Sequence, residues 1–401
     1  MTDKAAIHRL PLVEDSRPVI GLVLSGGGAR GAYQVGVMKA VAEIWGPRHP
    51  TPFRVVTGLS VGAINASGLA CGAHNFQQAA GNLEKLWMSL TCARIYKTGF
   101  LPLTNCLLHW AGSFVFSSLG LRNPRALLDN SPLKQLLTSE MDLSALNRCL
   151  EHGLLDALAI SASSYQNGQS VTFYDSRKNV PPWSRSRREG RPRVLTIKHV
   201  MASTALPFLF PAQRINKAYY GDGALRQTSP FSPAIHLGAS KIFAVGGRDG
   251  EIDALENPDK PVYPSTGDVA GHLLDILFND NLDMDLERLL RINKTLERLT
   301  EVQKQSLSLR PIDTFMIRPS EDIRQITARN VDALPWTVKA LIRGLGGWKP
   351  PFLLPSYLMF EKGFIGDLIA LGYRDGLAQK DAIADFLGPP PEGPRFRRRP
   401  A

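Results

Sequence analysis

Cysteine is scarce in this chain, with four in 401 residues (Cys71, Cys92, Cys106 and Cys149) and no C-x-x-C pair among them. That spacing excludes a disulfide framework and a zinc-ligand cluster, and it predicts unpaired thiols in a reducing compartment. A signal-peptide core is also missing. Asp3, Lys4, His8, Arg9, Glu14 and Asp15 interrupt any apolar run before Arg17, and Thr2 excludes an N-myristoylation motif. No internal repeat is present. Aromatic residues make up 8% of the chain and are not interleaved with its basic stretches, which argues against a nucleic-acid partner. Acidic residues are the minority charge, 36 against 47 Lys and Arg, for a net +11. That balance suits an anionic surface, so the expectation is cytoplasmic residence with reversible, peripheral membrane contact.

Much of the positive excess is local. Arg185, Arg187, Arg188, Arg191 and Arg193 are opposed only by Glu189, and Arg395, Arg397, Arg398 and Arg399 form a Pro-rich tail. Both read first as solvated loops. Phe100 to Leu121 has no Asp, Glu, Lys or Arg over a length that could cross a bilayer. Pro102, Asn105, His109, Gly112, Ser117 and Ser118 dilute it, so a cap over an apolar pocket is the preferred reading.

The informative stretch is Val55 to Ala66. A β-branched run stops at Gly58-Leu59-Ser60-Val61-Gly62, and a small-residue helical pattern follows at once. Strand, sharp turn and helix around Gly-x-Ser-x-Gly form a nucleophile elbow, which holds a serine hydroxyl clear of the sheet at a helix N-terminus. One crossover earlier, the apolar run Val19 to Leu24 leads into Ser25-Gly26-Gly27-Gly28-Ala29-Arg30-Gly31, and Ala32 to Ile44 then reads as a helix. A right-handed crossover brings this loop to the same carboxyl edge of a parallel sheet as Ser60. Gly26-x-Gly28-x-x-Gly31 also fits a dinucleotide fingerprint. That chemistry needs an acidic residue at the end of the second strand, and Val55-Val56-Thr57-Gly58 offers none. An oxyanion hole built from the exposed NH groups of Gly27 and Gly28 fits better, with Arg30 fixing the loop or adding positive potential.

These two motifs, in this order, resemble the patatin-like phospholipase family. The resemblance extends to Ala202-Ser203-Thr204-Ala205-Leu206-Pro207 and to Tyr220-Gly221-Asp222-Gly223-Ala224, which is similar to that family's Asp-Gly-Gly or Asp-Gly-Ala element. It implies a three-layer α/β/α fold with a mainly parallel sheet and a helical cap. It also implies a catalytic pair of Ser60 and Asp222 without histidine, with Gly26, Gly27 and Gly28 as the oxyanion loop and Arg30, Gly31, Gly58, Gly62 and Gly223 in support. Neither metal nor cofactor is required. The implied substrate is a phospholipid or lysophospholipid. Ser25 stands where many relatives carry an acidic residue, and Ala224 replaces the commoner glycine.

As chemistry, the pair asks for a desolvated carboxylate, because an ordinary aspartate at pKa about 3.9 is a weak base at neutral pH. The competing triad would use His236 or His272, which follow Asp222 in the chain; both fall on predicted helices. A lipid-binding or partner-activated protein on the same fold, and acyl transfer to an acceptor other than water, are the alternative functions. The expected organisation is a flexible segment 1–18, a hydrolase domain 19–387 and a basic tail 388–401. Within the domain, a cap is inserted at about 88–130 and a helical cover spans about 268–387.

Overall fold

A computed structural model describes residues 17–99, 126–249 and 263–391. The apolar run 100–121, the basic tail and most of the amino-terminal segment lie outside the described residues. Five parallel strands form the centre: β1 (Ile20–Leu24), β2 (Val55–Leu59), β3 (Ala157–Ser164), β9 (Lys241–Val245) and β10 (Asp313–Ile317), in the order β10-β9-β1-β2-β3. Every residue of β1, β2 and β3 is buried, as parallel strands covered on both faces require. The sheet then turns antiparallel through β4 (Ser170–Ser176) and continues to β6 (Arg188–Pro192) and β5 (Trp183–Arg185). A hairpin of β7 (Gln213–Ile215) and β8 (Ala218–Gly221) pairs with the carboxyl end of β3. Helices cover both faces, giving the layered α/β architecture with a parallel centre that the sequence predicts.

Two local expectations change. The arginine-rich stretch after Trp183 is an ordered hairpin, β5–β6, because alternate residues find partners on β4. The carboxyl-terminal cover contributes β10 as well as helices, and the ring of its Phe315 stacks on Phe243 at 5.2 Å. Thr266 to Glu297 is helical throughout, the α-helices Thr266–Asp275 and Asn281–Glu297 running into one another through a π-turn at Ile276–Asp280.

The helix Ala32–Trp45 follows the glycine loop and lies against Lys362–Ala378 near the other end of the chain. Gly36 and Gly372 let the two backbones touch, since a methyl group at either would strike the carbonyl of Ile369 or Tyr33. Tyr33 donates to buried Asp375 at 3.0 Å across the same contact. Among the described residues, no helix is long and apolar enough to cross a membrane.

Candidate active site

β2 ends at Leu59, and the helix Val61–Cys71 starts immediately after Ser60, whose backbone has φ 51° and ψ −129°. A positive φ at a non-glycine residue is strained and survives only where its surroundings impose it. Gly58 and Gly62 impose it here, because a side chain at Gly58 would meet the Gly62 carbonyl, and one at Gly62 would meet the carbonyls of Leu24 and Ser25. The helix N-terminus is thereby pressed onto the end of β1, where the glycine loop begins.

The loop bends through Gly27 and Gly28, at φ 152° and 54°, into a 3-10 turn at Gly28–Gly31. Among the described residues, no hydrogen bond engages the amides of Gly27 and Gly28, which leaves both as donors for a ligand oxygen. Ser60 is different. Its amide donates to Oγ of Ser203 at 2.8 Å, and Ser203 donates to the Ser161 carbonyl at 2.6 Å. Ser25 anchors the loop without a carboxylate: its hydroxyl donates to the Val245 carbonyl at 3.3 Å, and its carbonyl accepts from Gln34 at 2.8 Å.

Arg30 holds the loop to the carboxyl-terminal region. Its Nε donates to Ser356 Oγ at 2.9 Å, its Nη1 reaches Asp275 at 3.4 Å, and its guanidinium lies 4.1 Å from the centre of the Tyr357 ring. Asp275 also accepts from Tyr357 and Asn279, both at 2.9 Å, and pairs with Arg248 at 2.8 Å. This network braces the π-turn, which delivers Phe278 onto Gly26 beside Ser60. π-turns inside helices often occur at functional sites.

Asp222 follows β8 and is fully buried. Its amide donates to the Ala205 carbonyl at 2.8 Å, and its Oδ1 accepts from the Ala224 amide at 2.9 Å. Gly223 lets the turn close against the Ser161 carbonyl and Leu59, placing the carboxylate next to the elbow. Oδ2 is buried and makes no hydrogen bond. Burial pushes the carboxyl up to about 7, while the neighbouring Ser60 side chain and the Ala224 amide pull it down. Ser60 is thus near enough to favour the charged form, with its bond to Oδ2 still unformed; such bonds commonly tighten only when substrate is present.

Ser60 and Gly28 lie at the floor of an apolar cleft of about 720 Å³, counting its open mouth. Leu86, Leu133, Leu136, Leu137, Phe210 and Phe360 line its walls. Among the described residues, no histidine lines it. His236 stacks on Trp183 at 4.8 Å and bonds to the carbonyl of Ser232, and His272 lies on the helix Thr266–Asp275. His199 is held neutral, pushed down to about 4 by burial, with its Nδ1 accepting from the Thr196 amide. Among the described residues, no cluster of His, Cys, Asp and Glu could hold a metal ion. The structure therefore brings Ser60, Asp222 and the glycine loop together and leaves both candidate histidines elsewhere. Ser203 and Phe278 are the residues whose roles the motifs did not reveal. Ser203 fell inside a quoted motif, whereas Phe278 carried only the signal of a helical apolar face.

A curated relative from Pseudomonas aeruginosa, described as a cGAMP-activated phospholipase, is 25% identical over 242 residues, covering 58% of this chain and 60% of its own. This chain thus spans less than two thirds of that relative's length. Among solved structures, human GIVD cytosolic phospholipase A2 aligns over 96% of this chain and 62% of its own, with 12% identity and a TM-score of 0.44. VipD from Legionella pneumophila aligns over 94% and 70%, with 14% identity and a TM-score of 0.34. The family model described as Patatin-like phospholipase matches residues 22–235, just over half of the chain and the whole span from β1 to the helix after Asp222. By that match, on a site where glycine loop, elbow serine and buried aspartate meet, the chain belongs to the patatin-like phospholipase family.

Proposed function

We propose that this protein hydrolyses carboxylic ester bonds of phospholipids or lysophospholipids through Ser60 and Asp222. The observation that carries the reading is the Asp222 carboxyl: fully buried, pushed up to about 7, with Oδ2 unbonded beside Ser60. A carboxylate with that affinity for a proton is matched to general-base work at neutral pH.

In the proposed reaction the acyl chain lies in the apolar cleft and the ester carbonyl sits over Ser60. Oγ attacks the carbonyl carbon while its proton passes to Asp222 Oδ2. The negative charge on the former carbonyl oxygen is received by the amides of Gly27 and Gly28 and by the N-terminus of the helix Val61–Cys71. Collapse breaks the bond to the leaving alcohol, which takes the proton from Asp222. Water then gives a proton to Asp222, attacks the acyl-serine, and releases fatty acid as Oγ recovers the proton. Two proton transfers in each direction leave the aspartate as it began.

The test is fatty-acid release from phospholipid vesicles and from a short-chain chromogenic ester, for wild type and folded Ser60→Ala, Asp222→Asn, His236→Ala and His272→Ala proteins. Loss in the first two variants with both histidine variants active supports the pair. A histidine variant as inactive as Ser60→Ala replaces it with a triad. A second reading is favoured by the description of the Pseudomonas relative: turnover that waits for an activator. Assays with and without a cyclic dinucleotide separate the two.

A further inference from the structure

Beyond the cleft, the carboxyl edge of the sheet carries a surface that the proposed chemistry does not use. Three turns meet there. The β3–β4 turn begins at Tyr165, whose amide donates to the Tyr219 carbonyl of β8 at 3.0 Å. Gln166 reaches the Lys217 carbonyl in the β7–β8 turn at 3.0 Å. The β5–β6 turn joins them where the Ser170 amide donates to the Arg187 carbonyl at 2.9 Å, and Arg226 lies against Gly168. Because β3 runs parallel to β2 and extends beyond it, these turns project from the same edge as Ser60.

The charge of this surface has one sign. Arg185, Arg187, Arg214, Lys217 and Arg226 are exposed and form no ion pair among the described residues. Glu189 and Asp222 are the only acidic residues between Ser176 and Gly247; Glu189 is bonded to Arg191 at 2.6 Å, and Asp222 is buried. The same tips expose large side chains: Tyr165 is 51% and Tyr219 50% accessible. Phe208 is 70% accessible at φ 64°, a conformation that bulky residues rarely adopt. It stands between Leu206 and Phe210, both of which line the cleft.

We infer that this face docks on an anionic lipid bilayer, with Arg187, Lys217 and Arg226 over the headgroups. The inference rests on the proposed hydrolase reading and adds to it the surface that meets the substrate layer. Charge complementarity and exposed tyrosines at headgroup level favour a bilayer. Tyr165, just after β3, and Tyr219, on β8, lie beside one another.

The test uses Ser60→Ala protein, so that binding is read without turnover, sedimented with phosphatidylcholine vesicles with or without one third phosphatidylglycerol. The expected result is at least tenfold tighter binding to the anionic vesicles, weakened when salt rises from about 0.1 M to about 1 M. Adding Arg187→Glu, Lys217→Glu and Arg226→Glu should lower that binding about a hundredfold or more, at about fivefold for each charge lost. In a Ser60 background, the same three substitutions should leave turnover of the soluble chromogenic ester unchanged, which also shows that they fold. Equal binding to both vesicle types, full binding by the triple variant, or preferential capture of a single-stranded oligonucleotide would overturn the docking face. If the wild type cleaves neither ester but the vesicle results hold, the hydrolase reading falls and the docking face stands.

Discussion

The backbone amide of Ser60 is held by the side chain of Ser203, 2.8 Å away, and Ser203 is itself held by the Ser161 carbonyl of β3. One hydroxyl thus ties the strained elbow to the neighbouring strand and takes the Ser60 amide out of any oxyanion-binding role. The hydrogen bonds at Ser161 continue the tie: its own hydroxyl meets Thr172 at 3.0 Å and Gln227 at 3.3 Å.

Ser203→Ala should therefore lower kcat about tenfold to a hundredfold with KM unchanged, because the elbow loses its tether while the cleft keeps its walls. Leaving a buried amide unpaired should also cost roughly 1–3 kcal/mol of stability. Ser203→Thr keeps the hydroxyl and should recover much of the lost kcat. Steady-state kinetics with chemical denaturation checks both, and a KM-only effect would remove Ser203 from this positioning role.

For Asp222, burial raises the carboxyl to about 7, and its charge in turn helps burial to raise the neighbouring Tyr165 phenol. As the proposed base, Asp222 must be ionised, so kcat/KM should rise with pH through a limb centred near 7. Stability runs the other way. The folded state holds a proton that the unfolded chain has released, so the contribution is full below about pH 4 and lost as pH rises through about 7. Asp222→Asn should thus abolish turnover yet stabilise the fold at pH 8 by roughly 2–4 kcal/mol, with little gain at pH 4. Thermal melts at the two pH values decide it.

At the glycine loop, Gly28→Ala and Gly26→Ala should differ. A methyl at Gly28 meets the Tyr357 backbone carbonyl and needs φ 54°, so no side-chain movement relieves it. A methyl at Gly26 meets the Phe278 ring, which can be removed. Both single variants should lose turnover at least a hundredfold. Adding Phe278→Ala should restore activity to Gly26→Ala alone; rescue of both, or of neither, would refute this account of the contacts.

In the cleft, Leu136→Trp or Leu137→Trp should shorten the acyl chain accepted, because both leucines line its wall. Activity on long-chain phospholipid should fall about tenfold or more while the short-chain ester is still cleaved. A chain-length series measures this directly.

The sequence exposes the parallel half of the fold and the motif residues because their signals are local. β1 and β2 are unbroken apolar runs, and Gly58, Ser60 and Gly62 mark a turn that tolerates little else. Phe278 and Ser203 act through contacts between segments far apart in the chain, so no local pattern reveals them. The β5–β6 hairpin was hidden by its arginines, which read as solvated charge although their backbone completes a ladder with β4. Arg30 was legible as a loop anchor or a source of potential, and its partners Ser356, Asp275 and Tyr357 decide for the anchor.

The contact between Ala32–Trp45 and Lys362–Ala378 also sets when the site can exist. During translation Ser60 leaves the ribosome about 300 residues before the helix that backs its glycine loop, and β9, the neighbour of β1, emerges midway. A chain that stops between Ala224 and Lys362 carries every motif yet lacks the helix packed on Ala32–Trp45.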